Sequence, residues 1–535
     1  MDRRAPPDYA QRAWPEPWLA RRASLSPQRE ALVCGAERLS YLALHQRALA
    51  LAQRLQAAGV QADEPVGLLL DSGVDLAVAC HALRYCGAVL LPLNARLSAV
   101  EWGYQLGAAG ARWLLHAAAD ERGQAARAAA ATPPAALALA ADQRLQVLGR
   151  PGALPLRSAR DAGLLRGASA LLFTSGTSGR PKGVVLGPEN LLASAAAAAS
   201  LLAVGASDRW LACLPLYHIG GLALLFRSCL AGGTLLLHRG FRADAVLRDL
   251  RAQRVTQLSL VATMLSGILA EGGGQRAPPG LRCVLLGGGP APEGLLERAL
   301  ALGFPVAPTY GLTEAASQVA TRPPGDDRRP LAGRLQPLPG IAVRIVADAG
   351  GAAAAPGQAG EIWLRGANVM RGYLGHAARQ PGGWLHTGDL GTLDEQGLLH
   401  VLDRRDDLIV SGGENVYPAE VEAVLEQHPA VAEAGVIGLP DARYGARPVA
   451  YWVPAPGCGA AGDLSAFCRE RLGAFKVPVA FHRVAALPRN GLGKLLRREL
   501  RARAGASGAE EFVRREAEQA GATMVDFTHL HGGSR

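Results

Sequence analysis

Lysine is the scarcest charged residue in this chain. The sequence of 535 residues carries 56 Lys plus Arg, and only three of them are lysine: Lys182, Lys476 and Lys494. Arginine fills basic positions by default, so a lysine that persists marks a place where a compact ammonium on a flexible stem does what a guanidinium fork cannot. Aromatics are also sparse, at 5%. The basic residues are dispersed and form no basic-aromatic stripe, so the net charge of +10 does not mark a nucleic-acid surface. A general attraction for anionic substrates accounts for it. The eight cysteines show no C-x-x-C spacing. That excludes the common zinc frameworks and points to free thiols in a reducing, cytoplasmic compartment. The opening MDRRAPPDYAQRAW has no apolar stretch of the kind a secretory signal needs. The most apolar long run, Leu222 to Leu237, is interrupted by Arg227 and two glycines, and is too short and broken for a transmembrane helix.

Against these absences stands LLFTSGTSGRPKGV, Leu171 to Val184. An apolar run from Ala168 to Phe173 reads as a buried strand. It opens into Thr174, Ser175, Gly176, Thr177, Ser178, Gly179, Arg180, Pro181, Lys182 and Gly183. Three glycines let the backbone approach a ligand closely. Hydroxyls, loop N–H groups and the positive charges of Arg180 and Lys182 suit a polyanion such as the phosphates of a nucleotide. It is not a Walker A loop, because Gly183 follows the lysine where Ser or Thr is required. The competing reading is a flexible surface loop.

The length exceeds one typical core, so two or more domains are expected. Leu39 to Gly59 has helical spacing and ends at a C-cap glycine. Strand signals at Val66–Leu70 and Ala88–Leu91 alternate with a helix at Val74–Cys86, and the alternation runs to Pro308. That is the pattern of a doubly wound parallel α/β sheet. His116 to Arg160 carries no readable signal. Pro188 to Ala203 reads as a helix behind the loop. A strand from Leu211 ending at Pro215 leaves Tyr217 and His218 at its carboxyl end, the edge where ligands bind in open α/β sheets. A packed, hydrogen-bonded His218 is the plainer alternative. RCVLLGGG opens into Gly287, Gly288 and Gly289, bare backbone on which a flat purine can lie. Tyr310, Thr313 and Glu314 arrive together at another strand end. Glu314 is a candidate Mg²⁺ ligand or a solvated loop glutamate. Ile341–Ile345 and Glu361–Leu364 alternate as antiparallel strands of a small barrel or sheet. Asp389, in WLHTGDL, is an exposed ribose ligand or a turn residue. The charged knot Asp403 to Asp407 is the domain boundary, followed by a Gly-rich turn, a helix bearing Val421, Val424 and Leu425, and a small α+β domain. Leu487 to Lys494 is a loop leading into a basic helix, Leu495 to Ala504.

Taken in order, TSGTSGRPKG, PLYH, LGGG, YGLTE, HTGDL, DRRDDLIVSGGENVYP, AFKVP and NGLGK resemble the adenylate-forming superfamily of acyl-CoA synthetases, aryl-CoA ligases, luciferases and peptide-synthetase adenylation domains. The resemblance spans roughly residues 30 to 503, and all three lysines fall inside its segments. YGLTEAASQVAT and DRRDDLIVSGGENVYPAEVE resemble the o-succinylbenzoate:CoA ligase branch of menaquinone synthesis. Two departures are Ser178, where many relatives carry Thr, and Leu335, near which many carry glycine.

The resemblance implies an α/β fold with a large N-terminal domain of doubly wound sheets plus a barrel-like β part (1–402), a mobile α+β C-terminal domain (403–504) and a tail of unknown role (505–535). It implies an acid:thiol ligase using ATP, Mg²⁺ and CoA, in which an acyl-adenylate forms first and a thioester second. Thr174, Ser175, Gly176, Thr177, Ser178, Gly179 and Lys182 would hold the β- and γ-phosphates. Glu314 and Thr177 would hold Mg²⁺, and Thr313 would touch the α-phosphate. Tyr310 and Gly287, Gly288 and Gly289 would flank adenine, while Asp389 and Arg404 would take the ribose. Lys494 would bridge the attacking carboxylate and the α-phosphate. His218 would sit by that carboxylate, Ser317 would border the acyl pocket, and Gly412 and Gly413 would line the thiol's path after rotation about Asp406. The acid is o-succinylbenzoate or another aryl or fatty acid. CoA or a carrier protein takes the acyl group, and a homodimer is compatible with the reading. No nucleic acid and no membrane span is expected.

Overall fold

Two large, mainly parallel sheets carry most of the chain. The computed structural model describes residues 17–130, 133–140, 145–148, 159–174, 181–289, 291, 293–326, 331, 333–347, 352–376, 380, 382–403, 408–455, 462–488, 495 and 497–506. Ser175 to Gly179, Arg404, Asp406, Lys494 and the tail from 507 lie outside these described residues.

An eight-stranded sheet runs in the order Gly372–Tyr373, Lys182–Leu186, Ala170–Thr174, Val89–Pro92, Pro65–Leu69, Trp113–Ala117, Ala135–Leu139 and Leu145–Leu148. Its centre is parallel and both edges are antiparallel. A nine-stranded sheet has a parallel centre from Val306–Leu312 through Cys283–Leu286, Gln257–Leu260, Arg209–Ala212 and Thr234–Leu237 to Glu30–Cys34. Strands buried on both faces read as unbroken apolar runs, as in Cys283–Leu286. Helices between them are set by local chemistry. The helix Tyr41–Ala58 starts where the Ser40 hydroxyl accepts from the Ala43 N–H, and stops at Gly59 with φ +105°. Ser98 and Glu101 form a full capping box for Ala99–Ala109.

The small β part is a four-stranded antiparallel sheet of Ile341–Val346, Gly360–Gly366, Leu385–Leu393 and Leu399–Asp403. The chain divides into two compact units, the first holding the described residues up to Asp403 and the second those from Leu408. The second unit is built on the long hairpin Val431–Asp441 with Gly445–Pro454. The helix Pro418–Leu425 packs there with Val421 and Leu425 fully buried.

Three local expectations change. The strand expected to end at Pro215 ends at Ala212. Pro215 has no N–H to donate to a ladder, and its carbonyl instead accepts from the His218 N–H in a turn. The segment without readable signal holds the end of the strand Trp113–Ala117, the strands Ala135–Leu139 and Leu145–Leu148 and the helix Arg122–Ala129. AALAL has little strand propensity, but all five residues are buried, and the neighbouring strands decide its conformation. Lys182–Leu186 is a strand antiparallel to Ala170–Thr174, so the glycine-rich loop joins a hairpin and the helix Pro188–Leu202 comes after it. Near Leu335, Arg334 takes φ +59°, the left-handed region that favours glycine, while Leu335 itself is buried and exchanges both backbone hydrogen bonds with Leu399.

Candidate active site

The hairpin fixes the first side chains. Thr174 and Lys182 are cross-strand partners at the mouth of the glycine-rich loop, both half-buried. Lys182 therefore issues from a strand end, with its Nζ 5.4 Å from the centre of the Tyr373 ring. The Tyr373 hydroxyl donates to Glu314 Oε1 at 2.8 Å. Glu314 sits on the single 3₁₀ turn Thr313–Ala315 that follows the strand Val306–Leu312. Lys182, Tyr373 and Glu314 thus form one cluster drawn from both large sheets. Among the described residues there is no group of three or more His, Cys, Asp or Glu able to hold a metal ion. The donor set offered here is one hard carboxylate, which fits Mg²⁺ shared with substrate phosphates and water.

The turn carrying Glu314 is held tightly. Gly311 precedes it, and a Cβ there would lie 2.2 Å from the Ser317 carbonyl oxygen, so no side chain fits. Ala316 and Ser317 take φ +51° and +109°, and the Ser194 hydroxyl donates to the Ala316 carbonyl at 2.7 Å. Positive φ at two non-glycine residues is strain of the kind that accumulates at functional sites.

Tyr310, on the same strand, donates its hydroxyl to Asp389 Oδ2 at 2.5 Å. Asp389 was expected to be an exposed residue; it is half-buried, because this bond and its own backbone fold it in. The Asp389 N–H donates to the Thr387 hydroxyl, and the Gly388 N–H to Glu361 Oε1. Gly287, Gly288 and Gly289 follow their strand as anticipated, with Gly288 exposed and at φ +84°.

His218 is the N-cap residue of the helix Ile219–Ala231, and its ring meets the edge of Tyr217 with centroids 4.8 Å apart. In the second unit, Gly412 and Gly413 form a two-residue hairpin turn between Ile409–Ser411 and Glu414–Val416, with φ +58° and +83°. That is the turn type in which two adjacent glycines are favoured. Lys476 is buried and its Nζ donates to Glu420 at 2.8 Å. Glu422, on the same helix as Glu420, pairs with Arg497 of the helix Arg497–Ala506: both side chains are 13% exposed, and both Glu422 oxygens accept from the guanidinium at 2.6 Å. Burial raises the Glu422 pKa against the lowering pull of Arg497.

Tyr373 was not singled out in the sequence. Its segment, Arg371-Gly372-Tyr373-Leu374, carries no local mark of the site, because its partners Glu314 and Lys182 are distant in the sequence. Thr387 and Glu361, which bond the backbone of Asp389 and Gly388, were not singled out either; Glu361 reaches its partner only through the pairing of two strands. The seven described cysteines are free, and burial pushes Cys80, Cys213, Cys229 and Cys283 up to about 12. Among the described residues no helix is long and apolar enough to cross a membrane.

Known proteins resemble this chain in sequence and in fold. Residues 19–374 match the family model of the AMP-binding enzymes and residues 420–494 that of the AMP-binding enzyme C-terminal domain. The chain is 42% identical to the 2-succinylbenzoate–CoA ligase of Bacillus licheniformis, over 90% of this chain and 98% of that one. It is 42% identical to the enzyme of the same name from Geobacillus kaustophilus, over 90% and 97%. Among solved structures it resembles a double mutant of o-succinylbenzoate CoA synthetase from Bacillus subtilis bound with its product analogue OSB-NCoA, at TM-score 0.81, 38% identity and coverage of 90% and 97%. It also resembles the amide bond synthetase McbA of Marinactinospora thermotolerans, at TM-score 0.78, 29% identity and coverage of 90% and 99%. With the match running through both units and nearly the whole length of these relatives, the chain belongs to the family of AMP-binding enzymes.

Proposed function

We propose that this chain is an ATP-dependent acid:CoA ligase that converts o-succinylbenzoate to o-succinylbenzoyl-CoA, a cytoplasmic step of menaquinone synthesis. The observation that carries the reading is identity of 42% to two 2-succinylbenzoate–CoA ligases over 97–98% of their length. In the first half-reaction a carboxylate oxygen of the acid bonds to the α-phosphorus of ATP and pyrophosphate leaves. In the second, the CoA thiol bonds to the acyl carbon and AMP leaves.

The described geometry suits the first step. Thr174, the loop after it and Lys182 hold the β- and γ-phosphates, Lys182 supplying a mobile charge at a strand end. Thr313 meets the α-phosphate, and Glu314, with Thr177 of the loop, holds Mg²⁺. Bound there, Mg²⁺ offsets charge on the phosphates. Tyr310 and Gly287–Gly289 flank adenine, and Asp389, with Arg404, takes ribose hydroxyls. His218 orients the acid's carboxylate and Ser317 borders the acyl pocket. Lys494 places its charge where negative charge develops in the transition state. Domains 1–402 and 403–504 move about Asp406 between the steps, so that Gly412 and Gly413 line the thiol's path.

The test is thioester formation with ATP, Mg²⁺ and CoA across o-succinylbenzoate, benzoates and fatty acids of graded length. Selective turnover of o-succinylbenzoate is expected. Preference for benzoates or fatty acids would reassign the acid, and adenylation without transfer to CoA would point to a carrier protein or another acceptor.

A further inference from the structure

The segment Ala367–Leu374 touches both the turn that carries Glu314 and the strand that carries Lys182. The Asn190 side-chain amide, on the helix Pro188–Leu202, donates to the carbonyls of Ala367 and Val369 at 2.8 Å. The Asn368 amide donates to the Ala315 carbonyl at 3.0 Å, and the Met370 N–H to the Glu314 carbonyl at 2.8 Å. Two residues further on, Gly372 and Tyr373 pair antiparallel with Val185 and Val184, and the Leu374 N–H donates to Gly183. One short stretch therefore fastens the turn bearing Glu314 to the strand bearing Lys182. Tyr373 lies at the middle of that fastening. Its hydroxyl donates to Glu314 Oε1 at 2.8 Å, and its ring lies 5.4 Å from Lys182 Nζ.

We infer that Tyr373 is a positioning residue for both charges: its hydroxyl aims the Glu314 carboxylate at the phosphate-bound Mg²⁺, and its ring steadies the Lys182 ammonium. The inference rests on the nucleotide reading of this site given above. A donor held against Oε1 restricts rotation of the carboxylate and biases the direction in which its remaining lone pairs point. Partners of this kind, hydrogen-bonded to a ligating carboxylate, commonly alter metal affinity or activity by about 10- to 100-fold when removed. The ring contribution is separable. A lysine over an aromatic face is held weakly and in any rotamer that keeps the distance, so the ammonium remains able to follow a phosphate.

The two contributions predict different variants. Tyr373→Phe keeps the ring and deletes the donor. Tyr373→Leu deletes both. The probe is ATP binding by the full-length protein, read as the rise in melting temperature with ATP at graded Mg²⁺, alongside the two half-reactions. Tyr373→Phe is expected to shift the Mg²⁺ concentration giving half the ATP-dependent rise upward by about tenfold or more, with the melting temperature of the unliganded protein nearly unchanged. Its adenylation falls, while thioester formation from preformed acyl-adenylate, which involves no pyrophosphate, stays near wild type. Tyr373→Leu is expected to weaken ATP binding further at saturating Mg²⁺. An unshifted Mg²⁺ titration in Tyr373→Phe overturns the inference while leaving the nucleotide reading standing. Absence of Mg²⁺-dependent ATP stabilisation in the wild-type protein overturns both. Equal loss in both half-reactions, with a lowered melting temperature, would assign Tyr373 to the fold alone.

Discussion

Lys182 and Lys476 are two of only three lysines in the chain, and the structure gives them opposite settings. Lys182 is half-buried at the end of a strand, over a tyrosine ring, beside the mouth of a loop rich in donors. Lys476 is buried and bound to Glu420 at 2.8 Å in the core of the second unit. Scarcity marks both as places where arginine does not substitute, but the physical reason differs. At Lys182 the gain is a mobile point charge; at Lys476 it is a compact cation that fits a closed space with its counter-ion. A count of rare residues locates constraint and leaves its kind to be decided by burial and partners.

The buried side of that comparison carries the largest expected effect. Lys476→Met leaves Glu420 buried with its cation gone, and is expected to destabilise the protein by about 3–5 kcal/mol. Both half-reactions should fall together, in step with the folded fraction. Denaturant melts of Lys476→Met, Glu420→Leu and the double variant check this: the double variant should recover most of the loss. Loss of adenylation alone at unchanged stability would move Lys476 to the functional side.

Lys494 tests the functional side. Lys494→Ala is expected to lower adenylation by roughly 10²- to 10³-fold, leaving the melting temperature and thioester formation from preformed adenylate largely intact. If the proposed rotation pivots at Asp406, Asp406→Pro should give the reverse pattern, sparing adenylation and crippling the thioester step, because proline fixes φ. Rapid-quench measurement of each half-reaction separates the two.

The histidines repeat the contrast. His218 opens a helix beside Tyr217, whereas His81 is buried against Phe226 and burial lowers its pKa to about 4. The folded state therefore favours neutral His81. Stability from this residue is fully present above the unfolded value near 6.5 and is lost as pH falls from there toward 4, by an amount on the order of 3 kcal/mol. His81→Leu should flatten that limb of the pH–stability curve without touching nucleotide binding. An unchanged acid limb would show that another group sets it.

The smallest effect is expected at Lys182→Arg, which keeps the charge. ATP binding should weaken by about tenfold, the scale of one charged hydrogen bond, with the melting temperature unmoved. A stability loss like that of Lys476→Met would erase the distinction between the two lysines.

Much of the large unit was legible because its signals are local. The helix Val74–Tyr85, the strand Cys283–Leu286 and the glycine cap of Tyr41–Ala58 each follow from a few neighbouring residues. Alanine-rich Ala135–Leu139 was illegible because its strand state is imposed by the flanking strands. In the site, the sequence singled out Tyr310 and Asp389 separately as candidates, but not their mutual hydrogen bond across 79 positions. Tyr373 was missed for the same reason: its meaning comes from Glu314 and Lys182, which only the sheet pairing brings to it.

ATP–pyrophosphate exchange with o-succinylbenzoate, first without CoA and then with it, tests the central claim most directly. The account predicts exchange that depends on o-succinylbenzoate and needs no CoA, followed on CoA addition by AMP release and one o-succinylbenzoyl-CoA per AMP. Absence of carboxylate-dependent exchange, with o-succinylbenzoate or any other acid, would contradict it.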